Sequence, residues 1–193
     1  GGAVLTNKIS PTAQEYPVNF REIQRFKEKN TICKLAATFI QNGDSIYIDN
    51  SSTCLYLIQH IPADLQVTII TNSIKLLLGA NEINTPALSF ICLGGFYHKD
   101  NVSTYGNLSL RNASEFFPAK SFMSCGGILP PKRCTDSSLL EVDTKRLMIE
   151  HSKEVYILAD HTKFGRASTA YLADFDDVDT VITDDSTLSQ QLT

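Results

Sequence analysis

A group of short polar residues between two apolar runs is the part of this sequence best suited to bind an anion. The apolar runs cover residues 45–48 and 55–58, and together with the turn between them they predict a buried strand followed by the start of a helix. Backbone N–H groups at a helix N-terminus lack intrahelical partners and lie at the positive end of the helix dipole. We therefore expect the turn either to bind a phosphate or simply to cap the helix with a hydroxyl group. Its residues are Asp49, Asn50, Ser51, Ser52, Thr53 and Cys54.

Strand-like and helix-like segments alternate along the rest of the chain. Runs rich in β-branched and aromatic residues predict strands at 45–49, 66–71, 87–93, 120–125, 154–160 and 179–183. Helical spacing predicts helices at 21–41, 55–61, 73–82, 108–116 and 138–152. This alternation is typical of an α/β fold with a mostly parallel sheet flanked by helices.

Ligands of parallel sheets bind at the carboxyl ends of the strands, so the segments that follow the strands are the candidate site. Besides the polar turn, these are Asn72, the pair Gly94 and Gly95, and residues 160–166 with Lys163 and Arg166. We predict that residues 129–137 form a loop that borders the same rim. Hydroxyl groups combined with two cations suit an anionic, hydroxylated small molecule such as a sugar phosphate.

Acid–base chemistry has weaker support in the sequence. Asp49, Asp136, Glu141 and Asp160 are the candidate carboxylates, and Lys145 follows Glu141 at the i,i+4 spacing of an exposed helical ion pair. A sugar-phosphate isomerase that recruits Asp136, Glu141 and Lys145 remains the alternative to a pure binding domain, since it needs a carboxylate base and a stabilising cation.

Cofactor and metal motifs are not found in the sequence. The pair at 94–95 lacks the further glycines of a dinucleotide fingerprint, and the chain has no Walker-type loop, which weakens a nucleotide-binding reading. Its 4 His and 5 Cys show no metal-ligand spacing. We therefore expect neither a cofactor nor a metal, and we expect Cys54 to be a small buried hydrophobe or, alternatively, a thiol activated by the helix N-terminus.

Composition limits the partners of the chain. A formal net charge of −4 over 193 residues, without a basic patch, argues that this piece does not grip DNA by itself. No apolar run approaches the roughly 20 residues of a membrane span, so no membrane partner is expected. The 5 cysteines favour reduced thiols and a cytoplasmic location over a disulfide framework.

Residues 157–165 (ILADHTKFG), followed by Ile182-Thr183-Asp184, resemble the sensor domain of DeoR-type bacterial transcriptional regulators. The resemblance covers nearly the whole chain and includes Arg21, Glu28-Lys29, Gly43-Asp44, Thr71-Asn72-Ser73, Gly94-Gly95 and Gly127-Ile128. It implies a fold similar to ribose-5-phosphate isomerase and CoA transferases, with phosphorylated sugars as effectors. The sequence Ser51-Ser52-Thr53-Cys54 resembles a fucose-type subgroup.

From this resemblance we expect a sugar-phosphate-sensing domain of a repressor of a carbohydrate catabolic operon, and not an enzyme. Residues 1–18 would be a linker from an N-terminal winged helix-turn-helix that contacts DNA, residues 19–193 would bind the effector, and the regulator would be a homo-oligomer. The expected effector-binding residues are Asp49, Asn50, Ser51, Ser52, Thr53, Cys54, Asn72, Gly94, Gly95, Glu141, Lys145 and Lys163.

Overall fold

A six-stranded, all-parallel sheet forms the centre of the computed structural model, which describes residues 16–83, 86–129 and 133–185. The strand order is β3-β2-β1-β6-β9-β11, and the six predicted strands are therefore confirmed. In chain order, the strands of the described residues are β1 (Ser45–Ile48), β2 (Val67–Thr71), β3 (Leu88–Cys92), β4 (Phe96–His98), β5 (Ser103–Tyr105), β6 (Lys120–Met123), β7 (Gly127–Leu129), β8 (Arg133–Asp136), β9 (Glu154–Leu158), β10 (Ala170–Asp174) and β11 (Thr180–Ile182).

Helices cover both faces of the sheet, and its central strands are therefore buried on both sides. One core lies around Ile32, Ile46 and Phe122, and the other lies around Met123 and Met148. The α-helices are α1 (Val18–Ile23), α2 (Phe26–Ala37), α3 (Ile74–Ala80), α4 (Asn107–Ala113) and α5 (Val142–His151), and short 3₁₀ helices span Cys54–His60, His161–Lys163 and Phe175–Asp177.

Two predictions about local structure were wrong, and a third was confirmed in a different helical form. The helix predicted at 21–41 is divided into α1 and α2 by Arg25, whose φ of 53° and ψ of 43° are left-handed. The helical segment predicted at 55–61 is present as a 3₁₀ helix, Cys54–His60. The loop predicted at 129–137 contains β8, which pairs with β7 and β10 in a three-stranded antiparallel sheet. Short polar strands of this kind carry too little alternation to be found from the pattern alone.

The order of the strands creates a crevice at one place along the sheet. The chain runs from β1 outward through β2 to β3, and then returns to place β6 on the other side of β1. Loops leave the carboxyl ends of β1 and β6 in opposite directions, and such switch points are where open α/β sheets bind ligands. The polar turn after β1 lies at this point.

Gly95 serves the packing of the hairpin formed by β4 and β5. Its φ is +116°, and a Cβ atom there would lie 2.5 Å from the carbonyl oxygen of Tyr105 and 3.1 Å from Cβ of Ser109. Gly94 is also left-handed, with φ of +67°. Because L side chains rarely adopt these conformations, backbone geometry accounts for this glycine pair without a ligand.

We predict that Gly95→Ala lowers the free energy of unfolding by more than about 2 kcal/mol, because it adds backbone strain and a clash with backbone. Gly79→Ala is the matched control: Gly79 is helical, and nothing lies within 4 Å of the position that a Cβ atom would take there, so the change should stabilise by about 0.5–1 kcal/mol. Urea unfolding measures both. Equal effects of the two substitutions would contradict the assignment of Gly95.

Candidate functional site

A cavity of ≈ 370 Å³ opens at the carboxyl ends of β1, β6 and β9, at the switch point between β1 and β6. Most of its lining comes from the turn after β1, the loop after β6, the segment after β9, and the junction between α1 and α2. Its charged lining residues are the cations Arg21, Arg25, Lys29, Lys145, Lys163 and Arg166 and the carboxylates Asp136, Glu141 and Asp160.

Lys145 of α5 holds the floor of the cavity together. Its Nζ lies 2.9 Å from Oδ2 of Asp49 and 2.7 Å from Oδ2 of Asp136, and it donates a hydrogen bond of 3.0 Å to the carbonyl oxygen of Ser124. An ammonium group has three N–H donors, so these contacts use all of them. Burial lowers the pKa of Lys145, but the carboxylates of Asp136 and Asp49 outweigh it and hold the pKa well above its ordinary value.

Asp49 shapes the polar turn from beneath. It is fully buried, and its Oδ1 accepts hydrogen bonds from the amide (3.0 Å) and the hydroxyl (2.6 Å) of Ser51. Its Oδ2 accepts from the amide of Ser124, at 3.1 Å, which ties the loops after β1 and β6 together. Burial raises the pKa of Asp49, but the charge of Lys145 and the hydrogen bonds from Ser51, Lys145 and Cys54 together outweigh burial, so that the pKa lies below its ordinary value.

The hydroxyl of Ser51 caps the turn by accepting from the amide of Cys54, at 3.3 Å. The capping alternative is thus present in the structure, although it does not use the whole turn. In the described part of the chain, no protein acceptor faces the amides of Ser52 and Thr53. These two amides remain available to a ligand in the cavity.

The predicted ion pair between Glu141 and Lys145 on an exposed helix face was wrong, because both side chains are buried. Glu141 accepts hydrogen bonds from Nδ2 of Asn101, at 2.8 Å, and from the hydroxyl of Ser103. His98 Nδ1 lies 3.6 Å from its Oε1. Glu141 therefore stands in its own polar network at the wall of the cavity.

Lys29 brings a buried cation to the cavity that the sequence prediction missed. Its Nζ donates to Oγ of Ser52, at 3.0 Å, and to the carbonyl oxygen of Arg21. Burial lowers the pKa of Lys29 to about 8; Asp160 acts against this shift, and Lys163 adds to it. No carboxylate within the described ranges forms an ion pair with Lys29. A sequence signal existed, since Lys29 shares the buried face of α2 with Ile32 and Cys33.

Lys163 also lines the cavity, and its ammonium group makes no hydrogen bond or ion pair with the residues that the structure describes. The neighbouring Asp160 is occupied by its own loop, since its Oδ1 accepts from the amide (3.0 Å) and the hydroxyl of Thr162. Arg25 Nε lies 3.9 Å from the same oxygen. This side of the cavity therefore carries more positive than negative charge.

The expected effector-binding residues divide into two groups. Asn50, Ser51, Ser52, Thr53, Glu141, Lys145 and Lys163 line the cavity. Within the described residues, the lining does not include Asp49, Cys54, Asn72, Gly94 and Gly95.

Asp49, Asn72 and Cys54 of the second group lie behind the cavity lining, whereas Gly94 and Gly95 belong to the β4–β5 hairpin. Asn72 is buried and donates from Nδ2 to Oδ1 of Asn50, at 3.4 Å, while its own Oδ1 accepts from the hydroxyl of Tyr47, at 3.1 Å. Cys54 is fully buried, and burial raises the pKa of its thiol well above the ordinary value. Of the two alternatives that the sequence left open for Cys54, the structure therefore supports a small buried hydrophobic residue and not an activated thiol.

The geometry suits recognition of an anion that also carries hydroxyl groups. Ser52, Thr53 and Ser124 line the cavity beside two lysines, Lys29 and Lys163, that have no carboxylate partner in the described part of the chain. In the described ranges, no group of three or more His, Cys, Asp or Glu side chains could hold a metal ion. No helix in those ranges is long and apolar enough to cross a bilayer.

Comparison with known proteins points to one family. The model of the "DeoR C terminal sensor domain" family matches residues 24–185. The chain is 33% identical over 184 residues to the uncharacterized HTH-type transcriptional regulator YulB of Bacillus subtilis, covering 95% of this chain and 69% of that protein. It is 32% identical over 167 residues to the HTH-type transcriptional regulator IolR of the same species, covering 86% of this chain and 66% of that protein.

Solved structures share the fold at low sequence identity. The crystal structure of eIF2B delta from Chaetomium thermophilum matches with a TM-score of 0.61 and 12% identity, over 87% of this chain and 59% of that chain. Ribose 5-phosphate isomerase A from Methanocaldococcus jannaschii matches with a TM-score of 0.51 and 14% identity, over 70% of this chain and 53% of that chain. The predicted fold class is thereby confirmed, and these structures indicate fold alone.

We predict that Lys145→Met lowers the free energy of unfolding by about 3–5 kcal/mol, because it leaves the buried carboxylates of Asp49 and Asp136 without their cation. Lys34→Met, on the exposed face of α2, is the control and should change stability by less than about 0.5 kcal/mol. Urea unfolding at pH 7 measures both variants. A loss for Lys145→Met as small as that of the control would show that the ion cluster is not needed for folding.

Proposed function

The chain belongs to the DeoR C-terminal sensor domain family of transcriptional regulators, and from this premise we propose that its cavity binds a phosphorylated sugar. One observation carries the proposal: Lys29 and Lys163 bring positive charge to the cavity without carboxylate partners in the described residues. A buried cation without a counter-ion is costly. A bound anion removes that cost, so the arrangement favours a negatively charged ligand.

The phosphate group would occupy the side of the cavity formed by the turn. The free amides of Ser52 and Thr53 and the ammonium groups of Lys29 and Lys163 can donate charge-assisted hydrogen bonds to its oxygens. Helix dipole effects are a minor contribution here, since the helix that follows is a short 3₁₀ segment. Side-chain cations and amides of the turn account for most of the expected attraction.

The sugar hydroxyls would face the opposite side of the cavity. Glu141 and Asp136 line that side with carboxylate oxygens, and Asn101 and Ser124 add further polar groups. Carboxylates accept hydrogen bonds from hydroxyl groups, so this side suits a polyhydroxylated ligand and is unfavourable for an apolar one. The cavity is large enough for a small ligand of this kind.

We propose that this binding event regulates a carbohydrate operon. The chain is 25% identical over 184 residues to the "Deoxyribose operon repressor" of Escherichia coli, covering 95% of this chain and 71% of that protein. The sugar phosphate would favour one arrangement of a homo-oligomeric, cytoplasmic repressor, and thereby change how it holds its DNA-binding modules. Those modules would be winged helix-turn-helix domains joined through a linker at residues 1–18, of which 1–15 lie outside the described residues.

An isomerase that works on the same fold is the competing function. It would need a cation free to stabilise an enediolate and a base free to remove a proton. Lys145 has all of its donors engaged by Asp49, Asp136 and Ser124, and both oxygens of Glu141 already accept hydrogen bonds. This arrangement favours binding without turnover.

We predict that Lys163→Ala weakens the binding of phosphorylated sugars about ten- to a hundredfold, because a hydrogen bond to a charged group is worth about 1.5–3 kcal/mol. Binding of the matching unphosphorylated sugars should change less than threefold. Calorimetric titration with ribose 5-phosphate, fructose 1-phosphate, glucose 6-phosphate and fuculose 1-phosphate measures the difference. Lys153→Ala, an exposed lysine outside the cavity, is the control, and equal losses for both ligand classes would argue that Lys163 only braces its loop.

We also predict that the sugar phosphate that binds is not converted. Mixing the domain with the sugar phosphate that binds should raise the melting temperature of the domain, because a ligand that binds only the folded form stabilises it. The same mixture, followed by NMR, should show no isomerised product after a day. Tight binding of a ground state supplies no rate by itself. Steady turnover that disappears in Glu141→Gln would support the isomerase instead.

A further inference from the structure

We propose that Lys29 transmits ligand binding from the cavity to helix α1, as a positioning residue whose ammonium group joins the hydroxyl turn to the carboxyl end of α1. This inference rests on the proposed function of the cavity, and goes beyond it by naming the element that responds. It concerns Lys29, Ser52 and Arg21, which lie in three different parts of the chain.

The contacts of Lys29 connect two segments and leave one of its three N–H donors without an acceptor among the described residues. Its Nζ donates to Oγ of Ser52 in the turn and to the carbonyl oxygen of Arg21 in α1. The last carbonyl groups of a helix lack intrahelical partners, so Lys29 satisfies one of them. An ammonium group has three donors, and the described residues offer no acceptor for the third.

Helix α1 is held mainly by polar contacts, which makes it a suitable responding element. It has six residues, of which Val18 is buried, while Phe20 and Ile23 are 62% and 73% exposed. Helices this short are not stable alone in water, and few buried apolar contacts give a segment low local stability. The order of α1 therefore depends on polar contacts, of which the one made by Lys29 reaches the cavity.

The junction between α1 and α2 gives α1 a place to turn. Arg25 adopts left-handed φ and ψ there, a conformation that is strained for a non-glycine residue. Such strain persists only where the surroundings hold it. Arg25 also lines the cavity, so the hinge residue and the bridging Lys29 both face the ligand.

An anion in the turn would accept the third N–H of Lys29 and compensate its charge. The ammonium group is then fixed between the anion, Ser52 and the carbonyl oxygen of Arg21, and α1 gains order. Ligand binding is in this way coupled to the conformational entropy of α1. Since α1 is the first described helix of the chain, a module attached on its N-terminal side would sense the change.

Hydrogen–deuterium exchange across residues 16–25 tests this coupling. The ligands are inorganic phosphate and the sugar phosphate that binds most tightly, each added to give the same fractional saturation of every variant. In the wild-type chain we expect exchange protection in this segment to rise at least fivefold. Lys29→Met should show no rise, Lys29→Arg should restore a part of it, and the control Lys34→Met, on the same helix, should behave as the wild type.

The pH dependence separates this role from mere packing. The charged groups that face Lys29 are Asp160 and Lys163 after β9, Arg21 in α1 and Arg25 at the junction. Burial lowers the pKa of Lys29 to about 8, so the ligand-induced protection, corrected for intrinsic exchange, should fall between pH 7 and pH 9. In Lys29→Arg it should stay constant, because a guanidinium group keeps its proton.

An equal ligand-induced rise in the exchange protection of residues 16–25 in Lys29→Met and in the wild type, at equal saturation, would overturn the inference. The cavity would then remain the binding site. Failure of every phosphorylated probe to bind the wild-type chain would instead overturn the proposed function. Calorimetry on the same samples distinguishes these two outcomes.

Discussion

The ammonium group of Lys145 between the carboxylates of Asp49 and Asp136 is the contact on which the site depends. It connects α5, the turn after β1 and the end of β8, and through Ser124 it also reaches the loop after β6. A buried ion cluster contributes little more to the free energy of unfolding than apolar residues of equal volume would. Removing one of its members is costly, however, because the remaining charges stay buried without a partner. Its effect here is to fix the relative positions of four segments at the cavity.

Two kinds of lysine therefore meet in one cavity. Lys145 has every donor paired and belongs to the scaffold, whereas Lys29 and Lys163 have spare donors among the described residues and line the cavity. The pKa values reflect this division: two carboxylates hold that of Lys145 high, and burial holds that of Lys29 at about 8. The paired lysine thus positions the segments around the cavity, and the two other lysines keep donors that the described residues do not use.

The sequence predicted the central sheet because its inner strands β1, β2 and β9 are mostly buried on both faces and appear as nearly continuous apolar runs. It did not predict β7, β8 and β10, since strands of three to five residues with polar members show no clear period. The turn after β1 was found from its composition. The burial of Glu141 and Lys145 was not, because an i,i+4 spacing places two residues on one helix face without saying which face is covered.

The uncompensated charge beside the turn has a consequence for what a sensor of this kind measures. Any small anion that fits between Lys29 and Lys163 lowers the same electrostatic cost, inorganic phosphate included. By mass action such a competitor raises the amount of ligand needed for half-occupancy in proportion to its own concentration. For the sugar phosphate proposed above, and with free phosphate well above its own dissociation constant, occupancy of the cavity would depend on the ratio of the two concentrations.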